Sequence, residues 1–137
     1  MTIRPKYENA SRHNKVTRPK KAARKAAYET VAKRAGGRCE HCGTVGVQIH
    51  HRLYRSRGGE DAVVNLLALC LEHHSEAHTA AGEARGWSVR SGYDPAIVPV
   101  LFPDGSWWRL LEDGTKEYVR PRDAVDFMGL IQVRGQK

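Results

Sequence analysis

The chain has 137 residues and a formal charge of +8 at neutral pH, a length that allows one compact domain with extensions rather than two ordinary domains. It contains no apolar run near the roughly 18 residues that a membrane-spanning helix needs, and residues 1–15 lack the apolar centre of a secretion signal. We therefore expect an intracellular protein without a membrane partner, in which closely spaced cysteines are metal ligands rather than disulfides.

The positive charge is concentrated at one end of the sequence. Residues 1–38 hold 12 Lys/Arg and 2 Asp/Glu, a net of +10, whereas residues 39–137 hold 11 and 13, a net of −2. A basic segment of this kind favours nucleic acid as the partner, because neutralised phosphates release their condensed counterions. A tail that only aids solubility is the alternative interpretation.

Apolar residues at spacings of three and four, after Pro19 and before Gly36, predict a helix over residues 19–35. Candidate phosphate contacts on its charged face are Lys20, Lys21, Arg24 and Lys25. An ordinary solvated face is the alternative, because charge patterns alone discriminate poorly between the two.

Residues 39–78 contain all three cysteines and every histidine except His13. Cys39 and Cys42 form a C-x2-C pair, and Cys70 with His73 repeats that spacing. These four side chains predict a tetrahedral Cys3His site for structural zinc.

Two short strands and a helix are predicted around the remaining histidines. Alternation over residues 47–50 favours a strand that ends at His50 and His51, and the apolar run over residues 66–69 favours its hairpin partner. A helix is expected from residue 71 towards residue 84. His74 and His78 then share one face, as two ligands of one ion require, while His73 points about 100° away, towards the cysteines.

The connection between the two strands carries polar side chains and the turn residues Gly58 and Gly59. Its arginines are candidate contacts to the DNA backbone, with ordinary loop solubility as the alternative; they are Arg52, Arg55 and Arg57. Asn65 closes this loop, where its amide can bond backbone groups on both sides.

The C-terminal third predicts three strands within residues 97–120, joined by two Asp-Gly turns. Asp123 is expected to cap a last helix over residues 124–131. Trp107 and Trp108 fit either packing or stacking on nucleic acid bases, and packing is favoured. These features divide the whole chain into three segments: a basic arm and helix over 1–38, a core over 39–85, and an extension over 86–137.

The motifs CEHC, IHH, GGEDAVVNL and CLEHH resemble the HNH nuclease family. Members combine a C-x2-C pair, a histidine pair, a Gly-Gly loop leading to Asn, and a second C-x2-C followed at once by His. The match covers residues 39–78, with His73 standing where zinc-stabilised members more often have a fourth cysteine. The resemblance implies an α+β fold whose ββα-metal core is flanked here by a basic N-terminal helix and a C-terminal β-meander.

The resemblance also implies a metal-dependent DNA endonuclease that leaves 5′ phosphate and 3′ hydroxyl ends. It assigns His50 to the catalytic divalent ion, which is Mg, Mn, Ni or Zn, and His51 to the activation of water. His74 and His78 complete the ion site, and Asn65 either fixes the loop that carries His51 or reaches the metal.

Two alternatives stay open. One is a non-catalytic, zinc-stabilised protein for DNA binding or DNA packaging, which leaves the combination of His51 and Asn65 with the other histidines unexplained. The weaker one is an RNA-directed nuclease. Because family members are common in phages and mobile elements, the resemblance adds DNA-packaging or recombination proteins to DNA as expected partners.

Overall fold

A computed structural model describes residues 17–134, with side chains described for residues 21–130. The predicted basic lead-in over 1–16 and the side chain of Lys20 lie outside the described residues. The elements, in chain order, are α1 (Thr17–Ala35), β1 (Gln48–His51), β2 (Leu66–Leu69), α2 (Leu71–Ala77), α3 (Ala80–Ala84), β3 (Val100–Leu101), β4 (Trp107–Leu110), β5 (Lys116–Val119) and α4 (Pro121–Arg134). The chain is therefore a mixed α+β protein, as predicted.

The first sheet is a hairpin of β1 and β2, paired antiparallel from Gln48 opposite Leu69 to His51 opposite Leu66. All four residues of β2 are buried, because successive side chains of a strand point to opposite faces and both faces are covered. On one face, Leu66 and Ala68 pack against α1; on the other, Leu67 and Leu69 belong to a cluster that includes Trp87. The continuous apolar run is thus explained by burial on both sides.

The predicted first helix is confirmed, and α1 begins two residues earlier than expected. Its basic residue Arg34 turns inward and donates to both carboxylate oxygens of Glu40, at 2.9 and 2.8 Å. Arg34 also donates to the carbonyl of Leu66 at 2.6 Å, while Glu40 accepts the amide of Ala68 at 2.9 Å. This buried ion pair ties α1 to the hairpin, so Arg34 is not part of the exposed basic face.

The prediction of one continuous helix after β2 is wrong, since α2 ends at Ala77 and α3 starts at Ala80. The Thr79 hydroxyl accepts the amide of Gly82 at 3.3 Å and so caps α3. A Cβ on Gly82 would lie 2.5 Å from the Cα of Ala77. The tight approach of the two helices therefore requires glycine, and a straight helix would not bring these residues together.

The second sheet has the order β3-β4-β5 with antiparallel pairing, so the predicted meander is present, although β3 has only two residues. Trp107 and Trp108 are both half-buried. Trp107 packs beside the cluster of Leu53 and Met128, and the Trp108 ring lies edge-on to Tyr118 at 5.4 Å.

The last helix starts at Pro121, two residues before the predicted cap Asp123. Asp123 instead accepts a hydrogen bond from Nε of Arg120 at 3.0 Å. Pro121 suits the first helical position, where a backbone N–H is not needed.

Residues from the C-terminal third enter the same core as the hairpin. Trp87, Val100 and Leu110 share one buried cluster with Leu67 and Cys70. Within the described residues, no helix is both long and apolar enough to cross a membrane.

Candidate metal centres

The ends of the hairpin and the start of α2 gather the cysteines and most of the histidines into two groups. Within each group, one ligand atom from every residue lies within 4.8 Å of the others. The first group is Cys39, Cys42, Cys70 and His73; the second is His50, His74 and His78. Either group has the composition and the spacing to hold a metal ion.

The donor atoms of the first group are spaced as zinc ligands are. The sulfurs of Cys42 and Cys70 are 3.8 Å apart, and Nδ1 of His73 lies 3.2 Å from the sulfur of Cys70 and 3.8 Å from that of Cys39. A tetrahedral zinc with Zn–S bonds of about 2.3 Å has sulfurs separated by about 3.8 Å. The cluster therefore fits a zinc ion.

The surroundings favour the thiolate form at Cys42 and oppose it at Cys70. The sulfur of Cys39 accepts the backbone N–H groups of His41 at 3.4 Å and Cys42 at 3.5 Å. Hydrogen bonding with Thr44 lowers the pKa of Cys42 to about 6. At Cys70 a backbone hydrogen bond from His73 lowers the pKa, but burial and the neighbouring thiols outweigh it, so the pKa of Cys70 is raised. A cation would relieve the crowding of several thiolates.

His41 packs beside this cluster. Its ring lies edge-on to His73 at 4.5 Å and to Trp87 at 4.6 Å. Burial is the largest cause of the lowered pKa of His41, which keeps the ring neutral. Its Nδ1 is buried without a hydrogen-bond partner among the described residues.

The second group is built from both the hairpin and α2. His50 lies on β1 and is buried, His74 lies on α2, and His78 directly follows that helix. The ring centroids are 5.0 Å apart for His50 and His74, 5.2 Å for His50 and His78, and 5.3 Å for His74 and His78. Three imidazoles thus surround one point at nearly equal distances.

Each imidazole of this group has one nitrogen occupied by an outer partner. Nε2 of His50 donates to the carbonyl of Trp87 at 2.7 Å, which leaves Nδ1 as its lone-pair nitrogen. Nδ1 of His74 lies 2.5 Å from Oε1 of Gln48. Histidines that bind metals almost always have such partners, because these fix the tautomer and the ring orientation.

The third outer partner is the hydroxyl of Tyr54, which lies 2.9 Å from Nδ1 of His78 and leaves Nε2 for an ion. Neither Gln48 nor Tyr54 was predicted as part of the site. No spacing rule connects them to the histidines, because both reach the cluster through the tertiary fold.

Two histidines of this group, His50 and His74, are held in the neutral form. Burial is the main cause that lowers the pKa of His50 to about 3, although the Trp87 carbonyl opposes the shift. Burial likewise lowers the pKa of His74, with His78 adding to the effect. Neutral imidazole is the form that binds a metal ion.

His51 lies outside both groups, as its position next to His50 on a strand requires. Its Nε2 is 2.8 Å from Oδ1 of Asp61, and Oδ2 of Asp61 is 4.0 Å from Nε of Arg24 on α1. No signal in the sequence indicated that Asp61 would contact His51, and no role was predicted for it.

Asn65 is buried and anchors the loop between the strands. Its Oδ1 accepts the amide of Leu53 at 2.7 Å, and its Nδ2 donates to the carbonyls of Leu53 at 3.1 Å and Glu60 at 3.0 Å. Of the two roles expected from the sequence, this geometry is that of the loop anchor. Asn65 belongs to neither metal group.

The expected DNA contact through Arg52 is wrong, because this side chain is completely buried. Its guanidinium donates to four backbone carbonyls, at 2.7 to 2.9 Å. These belong to Val64, Gly86, Pro95 and Val98. Burial lowers the pKa of Arg52, but the group stays protonated at neutral pH.

The other candidate contacts that are described reach the surface to different extents. Arg55, Arg57, Lys21 and Lys25 are exposed. Arg24 is half-buried beside Asp61, so its charge is partly engaged. The guanidinium of Arg57 lies 5.2 Å from the ring centroid of Tyr54.

Comparison with family models, with curated proteins and with solved structures finds no match for this chain. The case for a function therefore depends on the residues and their geometry.

Proposed function

We propose that this chain is a metal-dependent DNA endonuclease of the HNH type, with a ββα-metal core formed by β1, β2 and α2. One observation carries the proposal. Three imidazoles with occupied outer nitrogens surround one point, and the adjacent His51 lies outside that group and is paired with a carboxylate. A purely structural ion site would not need the second feature.

The donor set of the histidine group fits a divalent transition metal. Of the ions expected from the sequence, zinc and nickel match three imidazole ligands best, whereas Mg and Mn prefer oxygen ligands. When bound to His50, His74 and His78, such an ion would supply Lewis-acid stabilisation of the charge on the phosphate and the departing oxygen. The Cys3His group would hold a separate, structural zinc.

His51 is the proposed general base, because a neutral imidazole accepts protons near neutral pH. It takes a proton from the water whose oxygen forms the new bond to phosphorus. The bond from phosphorus to the 3′ oxygen breaks, and the departing 3′ oxygen takes up a proton from solvent water, which leaves a 5′ phosphate and a 3′ hydroxyl. Asn65 supports this step by holding the loop that follows His51 in place.

The exposed basic residues provide a surface for the DNA backbone. Lys21 and Lys25 on α1 and Arg55 and Arg57 on the loop are exposed and carry positive charge. Such contacts position a duplex without reading its bases. A role with DNA-packaging or recombination proteins, in a phage or mobile element, belongs to the same proposal.

Plasmid cleavage tests the proposal directly. Supercoiled DNA is incubated with wild type, His51→Ala and His13→Ala in Zn, Ni, Mn, Mg or chelator, and nicked and linear products are counted separately. His13→Ala is the matched control, because it removes the histidine outside residues 39–78. His51→Ala should cleave at least about 100-fold more slowly while its zinc content and DNA affinity stay unchanged.

Two outcomes would contradict the proposal. Cleavage by His51→Ala at the wild-type rate removes His51 as the base. A wild type that is inert with every ion, on duplex and single-stranded DNA, favours the non-catalytic DNA-binding protein.

A further inference from the structure

We propose that Asp61 is a positioning residue for His51. Its carboxylate holds the imidazole in the tautomer protonated at Nε2, and Nδ1 is thereby left to accept the proton from water. This inference rests on the proposed nuclease function, in which His51 is the base. Its structural basis is the 2.8 Å contact between Oδ1 of Asp61 and Nε2 of His51.

The chemistry of the pair assigns the tautomer. An ionised carboxylate only accepts hydrogen bonds, so the imidazole nitrogen in contact with it must carry the hydrogen. A neutral imidazole has a single N–H, and Nδ1 of His51 is therefore the nitrogen with the lone pair. The side chains of His51 and Asp61 are only 11% and 20% exposed, so little water competes for this hydrogen bond.

Asp61 is itself held from two sides. Arg24, on α1, places Nε 4.0 Å from Oδ2, the carboxylate oxygen that does not face His51. The preceding residue, Glu60, is fixed through its carbonyl, which accepts a hydrogen bond from Asn65 at 3.0 Å. Helix α1 is thus linked to the base through Asp61, and Asn65 acts on the same loop.

The carboxylate would help at a second point of the reaction. Once His51 has taken the proton it is an imidazolium, and the adjacent negative charge of Asp61 stabilises it. Loss of Asp61 should therefore lower kcat without weakening DNA binding, because the carboxylate contributes nothing attractive towards phosphate.

The tautomer can be measured without any cleavage assay. Imidazole nitrogen shifts are recorded for zinc-containing protein labelled with ¹⁵N-histidine at about pH 8, where imidazoles are neutral, and His51→Ala identifies the signals of His51. Wild type should show His51 protonated at Nε2, and Asp61→Ala should shift it towards a mixture of tautomers. A wild-type His51 protonated at Nδ1, or a spectrum unchanged by Asp61→Ala, overturns the inference.

A double-mutant cycle tests whether Asp61 acts through His51. Asp61→Ala should lower kcat at least about 10-fold with KM and zinc content unchanged, but should have no further effect in the His51→Ala background. Asp61→Asn, which keeps the shape of the side chain but loses its charge and can donate to the imidazole, should also lower kcat and serves as the second variant if Asp61→Ala folds poorly. Equal losses in both backgrounds would overturn the inference.

Glu72→Ala is the matched control, because it removes an exposed carboxylate from α2. It should leave both the His51 signals and kcat unchanged. If Glu72→Ala lowered kcat as much as Asp61→Ala does, the effect would come from net charge, and the inference would be overturned. The two proposals fail separately. If the wild type fails to cleave DNA with every ion tested, the nuclease function is rejected. The nitrogen shifts still decide whether Asp61 sets the tautomer.

Discussion

The hydroxyl of Tyr54 lies 2.9 Å from Nδ1 of His78 and joins the loop between the strands to the histidine group. Tyr54 directly precedes the short 3-10 turn Arg55–Arg57, and the guanidinium of Arg57 lies over its ring. One side chain is therefore shared between the exposed arginine turn and the candidate ion site.

Tyr54→Phe should weaken the binding of an ion to the histidine group, because it keeps the ring but removes the outer partner of His78. Loss of such a partner typically costs 10- to 100-fold in metal affinity, so we expect about that range. Calorimetric titration with nickel of protein that already holds its zinc measures the change. Tyr118→Phe, at an exposed position on β5, is the control. Equal nickel affinity in Tyr54→Phe and wild type would show that the hydroxyl does not orient the ligand.

Arg52→Met should destabilise the protein rather than weaken DNA binding directly. The side chain keeps its length but loses the donors to four buried carbonyls. Breaking a buried charged network of this kind costs about 3–5 kcal/mol, measured as the free energy of unfolding in urea. Arg55→Met, at an exposed position, should change stability by less than about 0.5 kcal/mol. A fully stable Arg52→Met that binds DNA poorly would restore the contact role.

The local parts of this structure are predictable from the sequence because their signals are local. Helical periodicity marks α1, strand alternation marks β1, and the C-x2-C spacing brings Cys39 and Cys42 to one point. The i,i+4 relation of His74 and His78 survives the helix break, because α2 continues to Ala77 and His78 directly follows it.

The wrong and missing predictions have a different origin. An arginine in a polar loop normally predicts exposure, yet Arg52 is surrounded by carbonyls that lie 12 to 46 residues away in sequence. The partner of His50 is the backbone carbonyl of Trp87, which any residue type could supply. Asp61 resembles an ordinary turn residue until the fold brings it to His51. Contacts that depend on tertiary placement leave no periodic trace.

Cys70→Ala should remove the structural zinc and most of the folded population. Cys70 is buried, and its sulfur lies next to both Cys42 and His73. A closed zinc site contributes on the order of 10 kcal/mol to folding, which exceeds the margin of many small domains. Elemental analysis and circular dichroism measure the two losses. His41→Phe, which changes a ring beside the cluster but no ligand, should retain zinc; full zinc in Cys70→Ala would reject the site.

Without an ion in the histidine group, the free energy of unfolding of the protein should fall as the pH falls below about 6.5. His50 has a folded-state pKa near 3, so only the unfolded state binds its proton between these values, and lower pH favours unfolding. The contribution is up to about 1.4 kcal/mol per pH unit. Urea denaturation at several pH values compares wild type with His50→Gln, since other groups titrate alike in both. An equally steep dependence in His50→Gln would contradict the assignment.

Neutralising Lys21 and Lys25 together should weaken DNA binding and flatten its salt dependence. Both are exposed on α1, whereas Arg34 of the same helix is buried in its pair with Glu40. Each lost phosphate contact should reduce the slope of log K against log salt by about 0.9. The double variant Lys21→Gln and Lys25→Gln should therefore have a slope that is smaller by up to about 1.8.

The slope is measured by fluorescence anisotropy on a duplex of mixed sequence, with a chelator present to prevent cleavage. Arg122→Gln, which removes an exposed charge from α4, is the control and should keep the wild-type slope. Removal of residues 1–16 in a separate protein measures the part of the slope that belongs to the basic lead-in. If the α1 variant keeps the full slope while that truncation lowers it, phosphate binding resides in the lead-in, and the charged face of α1 is only solvated.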